Sequence, residues 1–128
     1  MILNSDSMKP IYVQIAEWLE TEILGGSIEI DSKVYSQYQL AEMLNINPAT
    51  AAKGLNLLAE EDILYKKRGL GMFVSAEARD IILSKRRNQT LAKLVEEVVK
   101  EAEHLKVGEE ELVDMIRSAN SKLKGDGK

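Results

Sequence analysis

Residues 36–58 read SQYQLAEMLNINPATAAKGLNLL, and they contain two short helical patterns separated by a tight turn. Ser36 followed three residues later by Gln39 is a capping-box pattern, which predicts the start of the first helix. Asn47 and Pro48 are residue types preferred at the cap and first position of a helix, and they predict the start of the second. This segment therefore predicts a helix-turn-helix, in which the second helix is the one suited to the major groove of DNA.

The flanking residues predict a helix before this segment and a β-hairpin after it. Apolar residues recur at helical spacing from Tyr12 to Ile23, until a pair of glycines ends the pattern. Residues 63–74 contain residue types suited to short strands, and Arg68-Gly69-Leu70-Gly71 is typical of a hairpin tip. The sequence thus predicts a mainly α fold with a small β-hairpin, a winged helix-turn-helix, over residues 8–75.

The remaining residues predict a helical dimerisation segment over 76–124 and a frayed tail over 125–128. The helical pattern is interrupted near Arg87-Asn88 and again at Val107-Gly108. The apolar stripe is too large to leave in water, so we expect a second copy of the chain to cover it and form a homodimer. The positions expected in that contact are Leu91, Leu94, Val95, Val98, Val99, Ala102, Leu105, Leu112, Met115 and Ile116.

The cations of the first 75 residues are few but grouped. The chain of 128 residues has a formal net charge of −4, and residues 1–75 contain six Lys or Arg against ten Asp or Glu. Lys66, Lys67 and Arg68 form one run on the predicted hairpin, while Thr50 and Lys53 lie on the exposed side of the predicted second helix. We expect these five side chains to contact phosphates or a groove edge, because lysine and arginine supply most non-specific affinity for DNA.

In its order of motifs the chain resembles the GntR family of bacterial transcription regulators. The resemblance covers roughly the first 65 to 70 residues of the folded chain, and the short helical ending is similar to that of the YtrA-like branch. That branch implies a repressor with a C-terminal helical pair used for dimerisation. The matching motifs are PIYVQI at 10–15, Ser36, Leu40-Ala41, NPAT at 47–50, Lys53, Leu58 and RGLGMFV at 68–74.

The resemblance extends the set of candidate DNA-binding residues and also shows departures from the family. Where the family usually has Pro-Ser-x-Arg, this chain has Tyr35-Ser36-Gln37-Tyr38, so an arginine that contacts DNA is missing. Ala49 replaces a larger polar residue, and Asp62 replaces a glycine before the wing. We therefore expect greater dependence on the wing, on groove shape or on a second subunit. The complete set is Ser36, Tyr38, Asn47, Ala49, Thr50, Lys53, Lys66, Lys67, Arg68, Gly69 and Gly71.

Other classes of function find less support in the sequence. The chain has no cysteine and one histidine, His104, without a nucleophile partner, so we expect no enzyme activity, no metal site and no cofactor. Neither a membrane span nor a secretory signal is predicted, which favours a cytoplasmic protein. The run Lys85-Arg86-Arg87 is interpreted as a solvated helix face or break. A winged-helix protein-interaction module that does not bind specific DNA stays open as the alternative, and the sequence identifies no small-molecule effector.

Overall fold

The computed structural model describes residues 3–4 and 6–126, and the chain divides into two compact units, Met1–Arg86 and Arg87–Lys128, here called the head unit and the tail unit. The predicted fold class, mainly helical with one antiparallel hairpin, is confirmed. The elements in chain order are α1 (Ile11–Leu24), α2 (Gln37–Leu44), α3 (Pro48–Glu60), β1 (Leu64–Lys67), β2 (Gly71–Val74), α4 (Ala78–Lys85), a π-helical turn (Arg86–Leu91), α5 (Ala92–His104) and α6 (Glu109–Asp126).

Side-chain caps define the helix-turn-helix of α2 and α3. Ser36 Oγ accepts a hydrogen bond from the Gln39 backbone N–H at 3.1 Å, and the Gln39 side chain accepts one from the Ser36 N–H at 2.8 Å. Asn45 ends α2 in a left-handed conformation with φ of 54°. Asn47 Oδ1 then accepts a hydrogen bond from the Ala49 N–H at 2.8 Å, and α3 begins at Pro48. Both predicted helix starts are confirmed, and each cap stabilises its helix by about 1 kcal/mol.

The wing is the antiparallel pair of β1 and β2, in which Tyr65 lies opposite Phe73 and Lys67 opposite Gly71. Gly69 and Gly71 have φ values of 78° and 112°, which residues with a side chain rarely adopt. A Cβ atom at position 71 would also lie only 2.9 Å from Lys33 Cε. The two glycines therefore allow the tight turn, and Gly71 leaves room for the Lys33 side chain.

The core of the head unit extends beyond the wing into α4. Ile15, Leu19 and Leu58 are fully buried between α1 and α3, and α4 adds Ala78 and Ile82, both without exposed surface. The head unit thus continues to Arg86, past the boundary after residue 75 that the sequence patterns indicate. The physical reason is that α4 carries its own apolar contacts to this core.

The tail unit consists mainly of α5 and α6, joined by a short turn in which Lys106 adopts a left-handed φ of 59°. The backbone N–H of Val107 closes this turn by donating to the carbonyl of Ala102 at 2.8 Å. Ala102 is the one buried residue among those described in the tail unit. Residues 125 and 126 continue α6, and the last two residues of the predicted frayed tail lie outside the described part of the chain.

Candidate nucleic-acid interface

Helix α3 presents one polar face to solvent. Ala51, Leu55 and Leu58 point into the core, as the spacing of apolar residues predicts. Lys53 is exposed on the opposite side of the helix. Ala49 and Asn56 are also exposed and Thr50 is half-buried, so the side chains on the side of α3 that is expected to face DNA are accessible.

The ammonium group of Lys53 lies over an aromatic ring from another helix. Its Nζ atom is 4.3 Å from the ring centroid of Tyr12, which lies in the first turn of α1. This is within the range in which the negative face of an aromatic ring attracts a cation. The sequence places Tyr12 in the apolar pattern of α1 but gives no sign of this contact.

At the N-terminal ends of α2 and α3, some candidate residues use their side chains in helix caps and one is exposed to solvent. The side chains of Ser36 and Asn47 are hydrogen-bonded in their helix caps, so each fixes the local backbone. Tyr38 instead has 70% of its surface exposed on the first turn of α2. At the entrance of α2, Tyr38 is therefore the candidate best able to reach a partner with its side chain.

The three cations of the wing have different surroundings. Tyr65 stacks on Phe73 with ring centroids 5.9 Å apart. Lys67 Nζ lies 4.4 Å from the centroid of Phe73 and 5.8 Å from that of Tyr65. Because side chains alternate along a strand, Lys66 projects to the opposite face of β1, and Arg68 is exposed at the tip. The run of three cations thus includes one lysine restrained by an aromatic pair.

The aromatic pair of the wing is also joined to the loop that precedes α2. The Tyr65 hydroxyl donates a hydrogen bond to Asp31 Oδ1 at 2.9 Å. This hydrogen bond raises the pKa of the Tyr65 phenol above its usual value, with smaller contributions from desolvation and from the Asp31 charge. Asp31 itself has a positive φ of 64°. The loop therefore orients the aromatic pair that Lys67 contacts, and the sequence pattern gives no sign of this arrangement.

The basic run at the end of α4 forms ion pairs inside the head unit. Glu20 has only 1% of its surface exposed, yet its carboxylate pairs with the Lys85 ammonium and with Arg86 Nη2, the latter at 3.2 Å. Lys85 Nζ also lies 3.1 Å from Glu61 Oε2. The expectation of a solvated face is therefore wrong for Lys85 and Arg86, whereas Arg87 is exposed. The alternative expectation, a helix break, agrees with the end of α4 at Lys85 and the π-helical turn that begins at Arg86. The signal in the sequence was Glu20 itself, which lies next to Leu19 on the buried side of α1.

Other kinds of site have little structural basis in the part of the chain that is described. His104 is 79% exposed at its side chain, with Nδ1 3.9 Å from Glu101 Oε1. Among residues 3–4 and 6–126 there is no cluster of three or more metal-binding side chains. The helices of the same residues include none with the length and apolar character needed to cross a bilayer.

Comparisons with known sequences find similarity to bacterial transcription repressors. The chain is 27% identical over 126 residues to the repressor YtrA of Bacillus subtilis, covering 98% of this chain and 96% of that protein. It is 39% identical over 75 residues to the repressor NagR of the same organism, covering 59% of this chain. The match spans 31% of the length of NagR, so less than a third of that protein is comparable. No family model matches the chain.

Comparison with solved structures also finds similarity to transcription regulators. A GntR family transcriptional regulator from Listeria monocytogenes superimposes with a TM-score of 0.71 at 29% identity, covering 88% of this chain and 97% of that one. The DNA-binding domain of AraR, solved in complex with operator ORE1, superimposes with a TM-score of 0.52 at 30% identity. That match covers 58% of this chain and 90% of the AraR domain.

Proposed function

Because this chain belongs to the GntR family of DNA-binding transcription regulators, in its YtrA-like branch, we propose that it represses transcription as a homodimer on an inverted-repeat operator. The observation that carries the proposal is a capped helix-turn-helix followed by a glycine-tipped wing with three adjacent cations. The similarity to the YtrA repressor over nearly its whole length supports the direction of regulation.

In this proposal α3 enters the major groove and the wing contacts the sugar-phosphate backbone. Lys53 and Thr50 reach phosphates from the exposed side of α3, and Ala49 lies at its N-terminal end against the bases. Lys66, Lys67 and Arg68 are all exposed on the wing, and the absence of side chains at Gly69 and Gly71 lets the backbone approach a groove closely. Few cations lie on the surface that is proposed to face DNA, so sequence-dependent groove shape contributes to specificity.

The dimer is proposed because the tail unit leaves its apolar residues uncovered. Leu94, Val95, Val98 and Val99 are each about half exposed on α5, and Leu105 is 65% exposed. An apolar concavity of about 170 Å³ opens between α5 and α6. Two copies that cover each other's stripes through the same patch would be related by two-fold symmetry. The operator would then be an inverted repeat, with half-sites one DNA turn or a multiple of it apart.

A selection of bound fragments from genomic DNA, followed by a salt titration of the best fragment, tests DNA binding. Changing Lys66, Lys67 and Arg68 together to alanine should weaken binding to all duplexes. It should also reduce the slope of log affinity against log salt by up to about one unit per lost phosphate contact. Thr50→Ala should cost less, because a neutral hydrogen bond contributes only about 0.5–1.5 kcal/mol.

A matched control replaces three tail lysines, Lys93, Lys100 and Lys106, with alanine, which changes the net charge by the same amount. Its salt slope should equal that of the unchanged chain. If the wing variant and the control behaved alike, the wing would have no specific contact with DNA.

The second candidate is a protein-interaction module on the same fold. It is favoured by one observation, the excess of acidic residues in the first 75 positions. The two candidates differ in the salt titration, because only a DNA-binding protein shows duplex affinity that falls steeply with salt. For the favoured function we further propose that the chain acts in the cytoplasm, on DNA, without catalytic activity or a cofactor.

A further inference from the structure

Lys53 is the single lysine or arginine of α3, so it carries the one positive side-chain charge of this helix. A lysine side chain has a long, flexible stem, and ordering that stem on binding weakens the affinity. Here the stem already has a preferred place, since Lys53 Nζ is 4.3 Å from the ring centroid of Tyr12. The side chain is nevertheless exposed, so the ammonium remains free to donate to an acceptor on the side away from the ring.

Lys53 and Tyr12 lie next to each other because Gly54, the residue after Lys53, lets α1 and α3 pack closely. A Cβ atom at Gly54 would lie 2.9 Å from the carbonyl oxygen of Tyr12 and 3.3 Å from Cβ of Ile15. Only a residue without a side chain lets the backbones of α1 and α3 approach this closely. That close crossing places the neighbouring Lys53 beside the Tyr12 ring, so the geometry follows from how these two helices pack.

We propose that Tyr12 is a positioning residue for DNA binding, whose ring holds the Lys53 ammonium in place before the duplex arrives. The role rests on the proposed function, because it requires Lys53 to contact DNA. The ring restrains the lysine in the free protein, so less side-chain freedom is lost on binding. The total charge is unchanged by the ring, and its effect is therefore on affinity and not on the number of phosphates neutralised.

A double-mutant cycle on the selected operator fragment tests this role in the full chain. Tyr12→Leu keeps apolar packing but removes the ring, and it should weaken binding about two- to fivefold, the range for an exposed cation–π contact. Tyr12→Phe keeps the ring and should stay within about twofold of the unchanged chain. In the Lys53→Met background, Tyr12→Leu should have no further effect, because the group that it positions is gone.

The salt titration separates positioning from a general structural role. Lys53→Met should reduce the salt slope by about one unit, whereas Tyr12→Leu should leave it unchanged. The inference is overturned if Tyr12→Leu weakens binding equally with and without Lys53, or if Tyr12→Phe is as damaging as Tyr12→Leu. The second result would assign the effect to the hydroxyl group.

A measurement on the unsubstituted protein keeps the test valid even if Tyr12→Leu folds poorly. The ε-methylene protons of Lys53 should show an upfield ring-current shift in the NMR spectrum relative to those of the exposed Lys100, and equal shifts would overturn the inference. A chain that binds no duplex would overturn the proposed function together with this role. A chain that binds but shows no coupling between Tyr12 and Lys53 would overturn this role alone.

Discussion

Most large apolar side chains of the head unit lie inside its own core, whereas most of those in the tail unit lie at its surface. In the head unit, α1, α3, the wing and α4 all contribute fully buried residues, such as Leu19, Leu58, Val74 and Ile82. In the tail unit, Ala102 alone is buried among the described residues. The difference indicates that the head unit carries the elements of a self-sufficient domain, and the exposed apolar surface of the tail unit supports the proposal that a second copy of the chain covers it.

The largest expected effect comes from moving the end of the head unit. A chain that ends at Asn88 should melt cooperatively, but a chain that ends at Ser75 should show no cooperative transition. The shorter chain lacks Ile82, and losing such a buried side chain costs about 2–5 kcal/mol. It also takes Lys85 and Arg86 away from Glu20, which costs up to roughly 3–5 kcal/mol more, the range for a carboxylate that stays buried without its partner. Together these losses are comparable to the roughly 5–15 kcal/mol that stabilise a whole domain.

Thermal unfolding followed by circular dichroism is the measurement for this pair of chains. If the chain ending at Ser75 melted at the same temperature as the longer one, α4 would not belong to the core of the head unit.

The next effect concerns the tail unit, through Val98→Glu. Val98 is exposed within one chain, so the substitution should leave each subunit folded. At the proposed two-fold interface it would bury two unpaired carboxylates, each at a cost of several kcal/mol. Sedimentation should then show a monomer at concentrations where the unchanged chain is a dimer. Affinity for the inverted repeat should fall at least about 100-fold, because the head unit of the second subunit is no longer tethered to the first.

Lys100→Gln is the matched control for Val98→Glu. It changes the net charge by the same amount but lies on α5 outside the apolar stripe, so it should remain dimeric. A dimer that survived Val98→Glu would place the subunit contact elsewhere and leave the exposed stripe without an explanation.

The elements that the sequence predicts well are those with local signals. The cap at Ser36 needs only Gln39 three residues away, and the cap at Asn47 needs only the next two residues. The hairpin follows similarly from alternating residue types and from glycines at its tip. In each case, the interacting groups are close in the chain, so the pattern of residue types contains the interaction.

The features that the sequence hides are contacts between distant residues. Glu20 and Lys85 are 65 positions apart, and although the position of Glu20 beside Leu19 signals a need for a cation, nothing in the sequence indicates that Lys85 supplies it. The same holds for Tyr12 above Lys53, which depends on how closely α1 and α3 pack at Gly54. Residue types can thus suggest which helix face contacts DNA, but the orientation of the side chains on that face is set by tertiary packing.

A smaller effect than those above is expected from Glu20→Gln, which tests the ion pairs that join α1 to α4. The substitution removes a buried carboxylate from Lys85 and Arg86 but leaves Glu61 beside Lys85. We expect a loss of about 2–3 kcal/mol in the free energy of unfolding, below the range for a buried pair that loses its only partner.

Glu17→Gln on the same helix is the control for Glu20→Gln. Glu17 pairs with Lys9 at the surface, and such a pair contributes at most about 1 kcal/mol. Chemical denaturation of the two variants gives the comparison, and equal losses would mean that the burial of Glu20 has no energetic consequence.

The smallest effect is a dependence of stability on alkaline pH. Burial lowers the pKa of the Lys85 ammonium, but the carboxylates of Glu20 and Glu61 outweigh burial and hold that pKa above its usual 10.5. A group whose pKa is raised by folding stabilises the fold fully at pH below 10.5, and this contribution is lost as the pH rises through the higher folded-state pKa. The difference in unfolding free energy between the unchanged chain and Lys85→Met should therefore be constant near neutral pH and shrink above pH 10.5. For Arg86→Met the difference should not shrink in this way, because arginine stays protonated in this range. A Lys85→Met difference that stayed constant through the whole alkaline range would show that the two carboxylates do not stabilise the charged form of Lys85 in the folded head unit.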